Sequence, residues 1–477
     1  MKGEWFQWER QATVHPILLC MEAWMEPMKQ EYGRPWPTTV IIYNGDLVGW
    51  YNRWAELLDY GQYLIDMLIG KGGAAELERD ARAQAAGLER MFHEFDGTDF
   101  KALSDEGLGE AYERIRRSYV RWFVPGGLVE PIGHQGERAL EERLAGKAEA
   151  PKTISLITTA TRESLAKREM GEMLGILAAK KARKDIEPAL REHAEKYYWL
   201  HNNYFSTEVL DYRFFLGELG VLEGRYPDPE KQLDAMNKEP ALIRNEKERV
   251  MGELGFDTKE RALVGLLEMF AWYQDYRKEY VMRLLHYLDL ALGEIGARKG
   301  IPLKEMKYCL PSEIPAILAG GFDRKPLRER MARCLFYWNP DEGKAEFGTG
   351  GFSIDKEREI FHSLRHDEEI VEVGGMVASR GVVRGRARIT MSAKEAASIE
   401  KGEILITSMT TPDFVTAMRR AAAIVTNEGG ILCHAAVISR EFGIPCIVGS
   451  RIATRVFRTG DLIEVDGNLG IVRKIRE

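Results

Sequence analysis

The stretch Thr426-Asn-Glu-Gly-Gly-Ile-Leu-Cys-His-Ala-Ala-Val-Ile-Ser-Arg-Glu-Phe-Gly-Ile-Pro445 decides how the C-terminal part of the chain is read. A strand ends near Thr426. Gly429-Gly430 then gives a loop with free backbone angles that lets another group approach closely. His434 opens a helix through Ala435 and Ala436 to Glu441. Gly443 ends that helix and Pro445 prevents its continuation. Cys446-Ile-Val448 is the next strand. His434 is therefore expected at a helix N-terminus beside a glycine loop, where unsatisfied N–H groups and the positive dipole end favour an anion. A neutral imidazole, with an ordinary pKa of ~6.5, is a competent nucleophile toward phosphorus near neutral pH. The phosphoryl group it would gain is one such anion, and covalent capture would split one difficult transfer into two easier ones.

Working outward, the texture from Gly375 onward is one of short β-rich runs separated by glycine turns. Strands are expected at Val382–Ile389, Ile404–Thr407, Ala423–Thr426, Cys446–Val448, Leu462–Val465 and Ile471–Ile475, with two or three short helices between them. This is a compact α/β unit of ordinary domain size. Upstream, from about residue 53 to about 300, apolar residues recur at three and four, and Leu, Ala, Glu, Lys and Arg dominate. The clearest helix opens at Asp257 with Glu260 three residues on, a capping-box pattern. It runs through Leu263, Leu267, Phe270, Tyr280, Leu284 and Leu288, and closes at Gly296, Gly300 and Pro302. The first 52 residues are rich in tryptophan, and Thr39–Trp50 reads as a hairpin about Asn44-Gly45. Arg333–Trp338 reads as a strand, and residues 341–374 as a charged, glycine-rich connector.

The expected fold class is thus multidomain α + α/β. An aromatic N-terminal segment (1–52) precedes a large, mostly helical domain (53–340), a connector or hinge (341–374) and a compact β/β/α swivelling domain (375–477). The chain has 477 residues, 45% of them hydrophobic and 30% charged, with a net charge of −7. That balance argues against nucleic acid or an anionic membrane as partner. No apolar run reaches the ~20 residues of a membrane span, and Met1–Gln11 does not read as a signal peptide. The five cysteines are scattered without a CxxC pair, which disfavours a disulfide framework or a zinc ribbon. A cytoplasmic location is expected. His362 and His366 have the spacing of a metal pair but lack a third ligand, so no metal site is expected.

Residues 375–477 resemble the phosphohistidine swivelling domain of the phosphoenolpyruvate-utilising enzymes, a group that includes pyruvate phosphate dikinase, phosphoenolpyruvate synthase, rifampin phosphotransferase and phenylphosphate synthase. The resemblance rests on Gly375, Ala378-Ser379, Gly381, Gly385, Gly402–Leu405, Thr411-Pro-Asp413 and Gly429-Gly430. It continues through His434-Ala-Ala436, Gly443-Ile-Pro445, Gly449, Gly460-Asp461, Asp466-Gly467 and Gly470. It implies His434 as phosphoryl carrier, within a loop and helix that include Thr426, Gly429, Gly430, Cys433, Ala435 and Arg440. Two positions depart from the pattern: Leu432 replaces the usual Thr or Ser, and Arg380 replaces a frequent Pro.

Members of that group that load themselves from ATP carry an ATP-grasp domain, and the dikinase and synthase also carry a pyruvate-binding barrel. Neither is recognised in this sequence. The resemblance therefore implies no cofactor bound by this chain alone, Mg-ATP supplied through a separate ATP-grasp partner, and an organic hydroxyl acceptor, with phenolic hydroxyls among the candidates. The segments Thr158–Ser164 and His193–His201 resemble the acceptor-binding helical regions of rifampin phosphotransferase and phenylphosphate synthase. At helical spacing, His193, Tyr197 and His201 share one face, extended by Tyr204, and are candidates for holding the acceptor. His15, Trp5, Trp8 and Trp24 are candidates for an aromatic pocket. A phosphocarrier that relays to another protein is the alternative function, and a degenerate member that binds without turnover is a third.

Overall fold

The structure is a computed structural model. It describes residues 5–70, 73–147, 149–361, 372–391, 393–396, 398–410, 414–428, 434–450 and 452–475. His362 and His366 fall outside the described residues, as do Thr411-Pro-Asp413, Gly429, Gly430, Leu432 and Cys433.

The N-terminal hairpin forms as the sequence predicts, with strands β2 (Thr39–Asn44) and β3 (Leu47–Arg53). Its turn sits one residue later than the Asn44-Gly45 reading. Asn44 closes the ladder against Leu47, and Gly45 supplies the left-handed φ of +61° that a type II′ turn requires at its first central position. β1 (Trp5–Gln11) pairs antiparallel with β3 and forms one edge of the sheet.

The hairpin does not stand as a separate segment. β4 (Arg333–Asn339) pairs with β2, and β5 (Lys344–Thr349) pairs with β4. The result is a five-stranded sheet of order β1-β3-β2-β4-β5. Residues 344–361, read as connector, belong to this body. β5 lies at the sheet edge with none of its residues buried, so its charges reflect exposure and not a linker. The helix Gly350–Phe361 follows, and its Phe361 ring packs 5.1 Å from both Trp5 and Tyr51.

The long helix is present at Thr258–Arg298, 41 residues and roughly 60 Å at ~1.5 Å per residue. The Asp257 carboxylate accepts from the Glu260 amide, and the Glu260 carboxylate accepts from the Asp257 amide, completing the predicted box. Gly296 lies inside the helix, which ends at Arg298; Gly300, at φ +67°, then turns the chain. Leu266, Phe270, Tyr273, Leu284, Leu288 and Leu292 are buried along this helix. They share one core with the helices Gly73–Asp96, Asp105–Phe123 and Val129–Arg143. Val129–Arg143 also lies very close to the helix Trp54–Gly70. A Cβ on Gly61 would meet the Pro131 carbonyl oxygen at 2.2 Å, so only glycine permits this approach. A satellite core gathers Leu174, Leu177, Tyr197, Trp199, Phe215 and Leu219 from the helices between residues 165 and 225.

The C-terminal unit is an eight-stranded sheet of order β6-β13-β12-β8-β9-β10-β11-β7. The strands are β6 (Glu372–Gly374), β7 (Met376–Ser379), β8 (Val382–Ile389), β9 (Ile404–Thr407), β10 (Ala423–Thr426), β11 (Cys446–Val448), β12 (Leu462–Asp466) and β13 (Ile471–Lys474). Six of these match the sequence reading to within a residue. β6 and β7 are additional, and β6 carries the unit's start back to Glu372, because it pairs with β13. β8, β9, β10 and β11 run parallel as central strands. β9, β10 and β11 are buried throughout, which explains their uninterrupted apolar sequence. Among the described residues, no helix is long and apolar enough to cross a membrane.

Candidate functional site: the helix that follows β10

β10 and β11 are joined through the helix His434–Phe442, so His434 occupies its first position at the carboxyl end of the parallel strands. Open α/β sheets bind their ligands at that end. Ala435 and Ala436 are buried against the sheet, and their small size lets the helix lie close to it. Gly443, at φ +65°, ends the helix as read. The Ile444 amide donates to the Ser439 carbonyl at 2.9 Å, and the Ile424 amide to the Pro445 carbonyl at 2.9 Å.

The exit from β10 is stitched tightly. The Thr426 hydroxyl donates to the Glu428 carbonyl at 2.6 Å. The Asn427 side-chain amide donates to the Thr454 hydroxyl at 2.6 Å, and the Asn427 carbonyl oxygen accepts from the Thr454 amide at 3.1 Å. The Asn427 and Glu428 amides donate to the Thr407 and Ser408 carbonyls at 3.1 and 2.9 Å. Thr426 thus fixes the start of the loop. Arg440 lies on the same helix as His434.

Glu428 is where this turn meets the N-terminal body. Its carboxylate accepts from the Glu9 amide on β1, and the Arg10 guanidinium and the Glu130 carboxylate are also within electrostatic reach. Burial pushes the Glu428 carboxyl up to about 7; Arg10 and the Glu9 amide oppose the rise, and the Glu130 and Glu9 charges add to it. Glu130 in turn lies within electrostatic reach of Arg277 and Arg10. Burial raises the Glu130 carboxyl against the pull of Arg277 and Arg10. Burial lowers the Lys278 ammonium, with Asp275 opposing and Arg277 and Arg10 adding. Arg277 Nη1 donates to the Gly126 carbonyl at 2.9 Å, and Arg10 lies 4.1 Å over the Trp8 ring. Sequence reading missed Arg10, Glu130, Arg277 and Lys278, because about 270 residues separate the first from the last and no local pattern joins them. Glu428 stood inside the quoted stretch, but nothing there marked it as a contact.

This contact carries a pH dependence. A carboxyl at about 7 when docked and near its ordinary 4.5 when free binds its proton more tightly in the docked state. Its contribution to docking is therefore complete below pH 4.5, declines as pH rises between 4.5 and about 7, and is lost above that. The protection of the Glu9 amide, relative to its intrinsic exchange rate at each pH, should fall across this window, and Glu428→Gln should remove the dependence. A flat profile in the wild-type chain would contradict the contact.

The acceptor candidates are not gathered as read. The helix Glu187–Tyr197 stops at Tyr197, so His193 and Tyr197 share the face, their rings 4.5 Å apart, while His201 lies beyond it. His193 is buried in the satellite core between two carboxylates, with Nε2 3.2 Å from Glu169 and Nδ1 3.4 Å from Glu172. The Tyr197 hydroxyl donates to Glu172 at 3.0 Å. His201 is half-exposed, 3.6 Å from Glu208 and packed edge-on against Phe214. Tyr204 sits apart from these three, against the main core, where its carbonyl accepts from the Thr13 amide and hydroxyl, each at 3.1 Å. Periodicity placed these residues together, but the end of the helix separates them.

The aromatic-pocket reading also dissolves into packing. His15 is buried, with Nδ1 2.9 Å from the Cys309 carbonyl and Nε2 3.1 Å from the Tyr112 hydroxyl. Burial lowers its pKa to about 4, so it is a neutral core residue. Trp24 stacks on Trp36 at 4.5 Å, Trp8 stacks on Trp50 at 5.2 Å, and Trp5 faces Phe361. Among the described residues, no group of three or more His, Cys, Asp or Glu side chains could hold a metal ion.

Comparison with known proteins agrees with this C-terminal architecture. Residues 399–470 match the family model described as PEP-utilising enzyme, mobile domain. A probable phosphoenolpyruvate synthase from Archaeoglobus fulgidus is 53% identical over 98 residues, covering 20% of this chain and 13% of the relative. The phosphoenolpyruvate synthase of Pyrococcus furiosus is 49% identical over 108 residues, covering 23% and 13%. A Bacillus subtilis protein named uncharacterized phosphotransferase YvkC is 32% identical over 186 residues, covering 38% and 22%. The chain thus matches between 13% and 22% of these relatives' length. Its C-terminal unit is similar to the mobile, swivelling domain of the PEP-utilising enzymes, and to proteins named phosphoenolpyruvate synthase and phosphotransferase.

Proposed function

We propose that this chain is the phosphoryl-carrying component of a split phosphotransferase. His434 takes a phosphoryl group from ATP bound by a separate ATP-grasp partner and delivers it to an organic hydroxyl, phenolic compounds included, held by the helical body. The observation that carries this reading is the position of His434. It opens a helix at the carboxyl end of buried parallel strands, within the segment that matches the mobile domain. The helix N-terminus favours the phosphoryl charge there. The contact of Glu428 with β1, six residues before His434, supports delivery toward the helical body.

In the delivery step the N–P bond at His434 breaks and an O–P bond forms at the acceptor hydroxyl. The hydroxyl proton passes to a base, and the imidazole leaves neutral with its ring proton on the other nitrogen. Domain rotation between the two stations is a hinge motion, typically on the μs–ms scale.

By analogy with the PEP-utilising enzymes, the β-phosphoryl is the one transferred, so the nucleotide products with an ATP-grasp partner are AMP and phosphate. Chromatography of the nucleotides after reconstitution checks this. ADP as the only nucleotide product would contradict the reading.

A further inference from the structure

We infer that the groove between the helices Glu26–Tyr32 and Asp105–Phe123 binds a small organic monocarboxylate with a compact apolar body, its carboxylate held by Arg117 and Arg121. Nothing in the groove depends on His434 or on the phosphoryl-carrier reading. The groove has a volume of about 410 Å³, within the ~300–1,000 Å³ typical of small-molecule sites. Its walls are the two helices, and Glu22, near the end of the helix Val14–Trp24, lines it as well.

On the helix Asp105–Phe123 and its cap, Arg117, Val120, Arg121 and Val124 fall at helical spacing on one side, and all four line the groove. The charges on this wall are unevenly matched. Arg116 is fully engaged: its Nε and Nη2 each donate to Glu113 at 2.7 Å, and its Nη1 donates to Glu22. Arg117 has to share that same Glu113 carboxylate, its Nε donating at 2.7 Å. Among the described residues no carboxylate pairs with Arg121. Three guanidinium groups therefore stand against two carboxylates. The two exposed ones, Arg117 and Arg121, repel each other from successive turns, and an anion placed between them relieves that repulsion.

The planar guanidinium fork matches the two oxygens of a carboxylate. Beside the arginines, Val120, Val124 and Pro27 supply an apolar lining, which a hydrocarbon body covers more favourably than water does. Glu31, from the other helix, limits the charge: a second carboxylate on the ligand would be repelled there. The groove therefore favours one negative charge joined to an apolar body, over a small anion without a body and over a dicarboxylate.

The test is a titration of the full chain, labelled at its valine methyls, with sodium benzoate, followed by NMR. The Val120 and Val124 signals should shift saturably, and sodium acetate and terephthalate should each bind more weakly than benzoate. Arg117→Ala and Arg121→Ala should each weaken benzoate about threefold, as expected for exposed charges. Arg121→Lys should retain most of the affinity, and Glu31→Gln should narrow the gap between terephthalate and benzoate. Both arginines are exposed, so thermal melting should show the alanine variants as stable as wild type. A wild-type chain whose Val120 and Val124 signals do not respond to benzoate would overturn the assignment. So would a benzoate affinity that neither alanine variant changes, or acetate binding as tightly as benzoate.

Discussion

Replacing His434 with Ala should abolish phosphoryl transfer from ATP to any hydroxyl acceptor, a loss on the order of 10⁵–10⁶ in kcat, as for other covalent nucleophiles. The magnitude follows from the absence of a substitute. No other histidine lies between His366 and the end of the chain, and Ala435 and Ala436 beside it carry no nucleophile. Cys446 is buried in β11, out of reach of a phosphoryl donor. The variant should remain folded, because Ala435 and Ala436 anchor the helix against the sheet. Assay of phosphate-ester formation in the reconstituted system measures the loss, and thermal melting checks the fold. Residual transfer within 100-fold of wild type would mean that the phosphoryl travels by another route.

The largest effect on stability is expected at Asp289. Its carboxylate lies on the long helix, buried, 2.7 Å from Lys307 Nζ, and it also accepts from the Thr207 hydroxyl at 2.7 Å. Lys307 is equally buried, and its carbonyl accepts from the His15 amide at 2.9 Å. One ion pair therefore joins the long helix, the segment after it and the loop at Thr207. Asp289→Ala leaves the ammonium buried and unpaired, which typically costs about 3–5 kcal/mol. Denaturant unfolding of the helical body should show that loss. Asp289→Leu combined with Lys307→Met should recover most of it, because removing both charges also removes the penalty. A single-variant loss below about 1 kcal/mol would show that Lys307 finds another acceptor.

The C-terminal unit was far more legible than the rest, for physical reasons. Its central strands are buried on both faces, so Ile404–Thr407 and Ala423–Thr426 stand out as apolar runs, and glycines mark the turns between them. The long helix was legible because its amphipathic face and its Asp257/Glu260 cap act locally. β5 was lost in the reading because an edge strand with charged, half-exposed residues looks like a linker. The His193–Tyr197–His201 face failed because nothing in the helical period announces that the helix stops at Tyr197. The electrostatic coupling of Glu130 to Arg10 and Arg277 was invisible, since more than a hundred residues separate each arginine from the carboxylate.

Intact-mass spectrometry of the chain incubated with Mg-ATP, with and without a candidate ATP-grasp partner, tests the account most directly. The wild-type chain should gain the mass of one phosphoryl group when the partner is present, in an acid-labile form, and His434→Ala should gain none. A His434→Ala chain that still acquires that mass would contradict the account, as would a wild-type chain that stays unmodified under every donor condition.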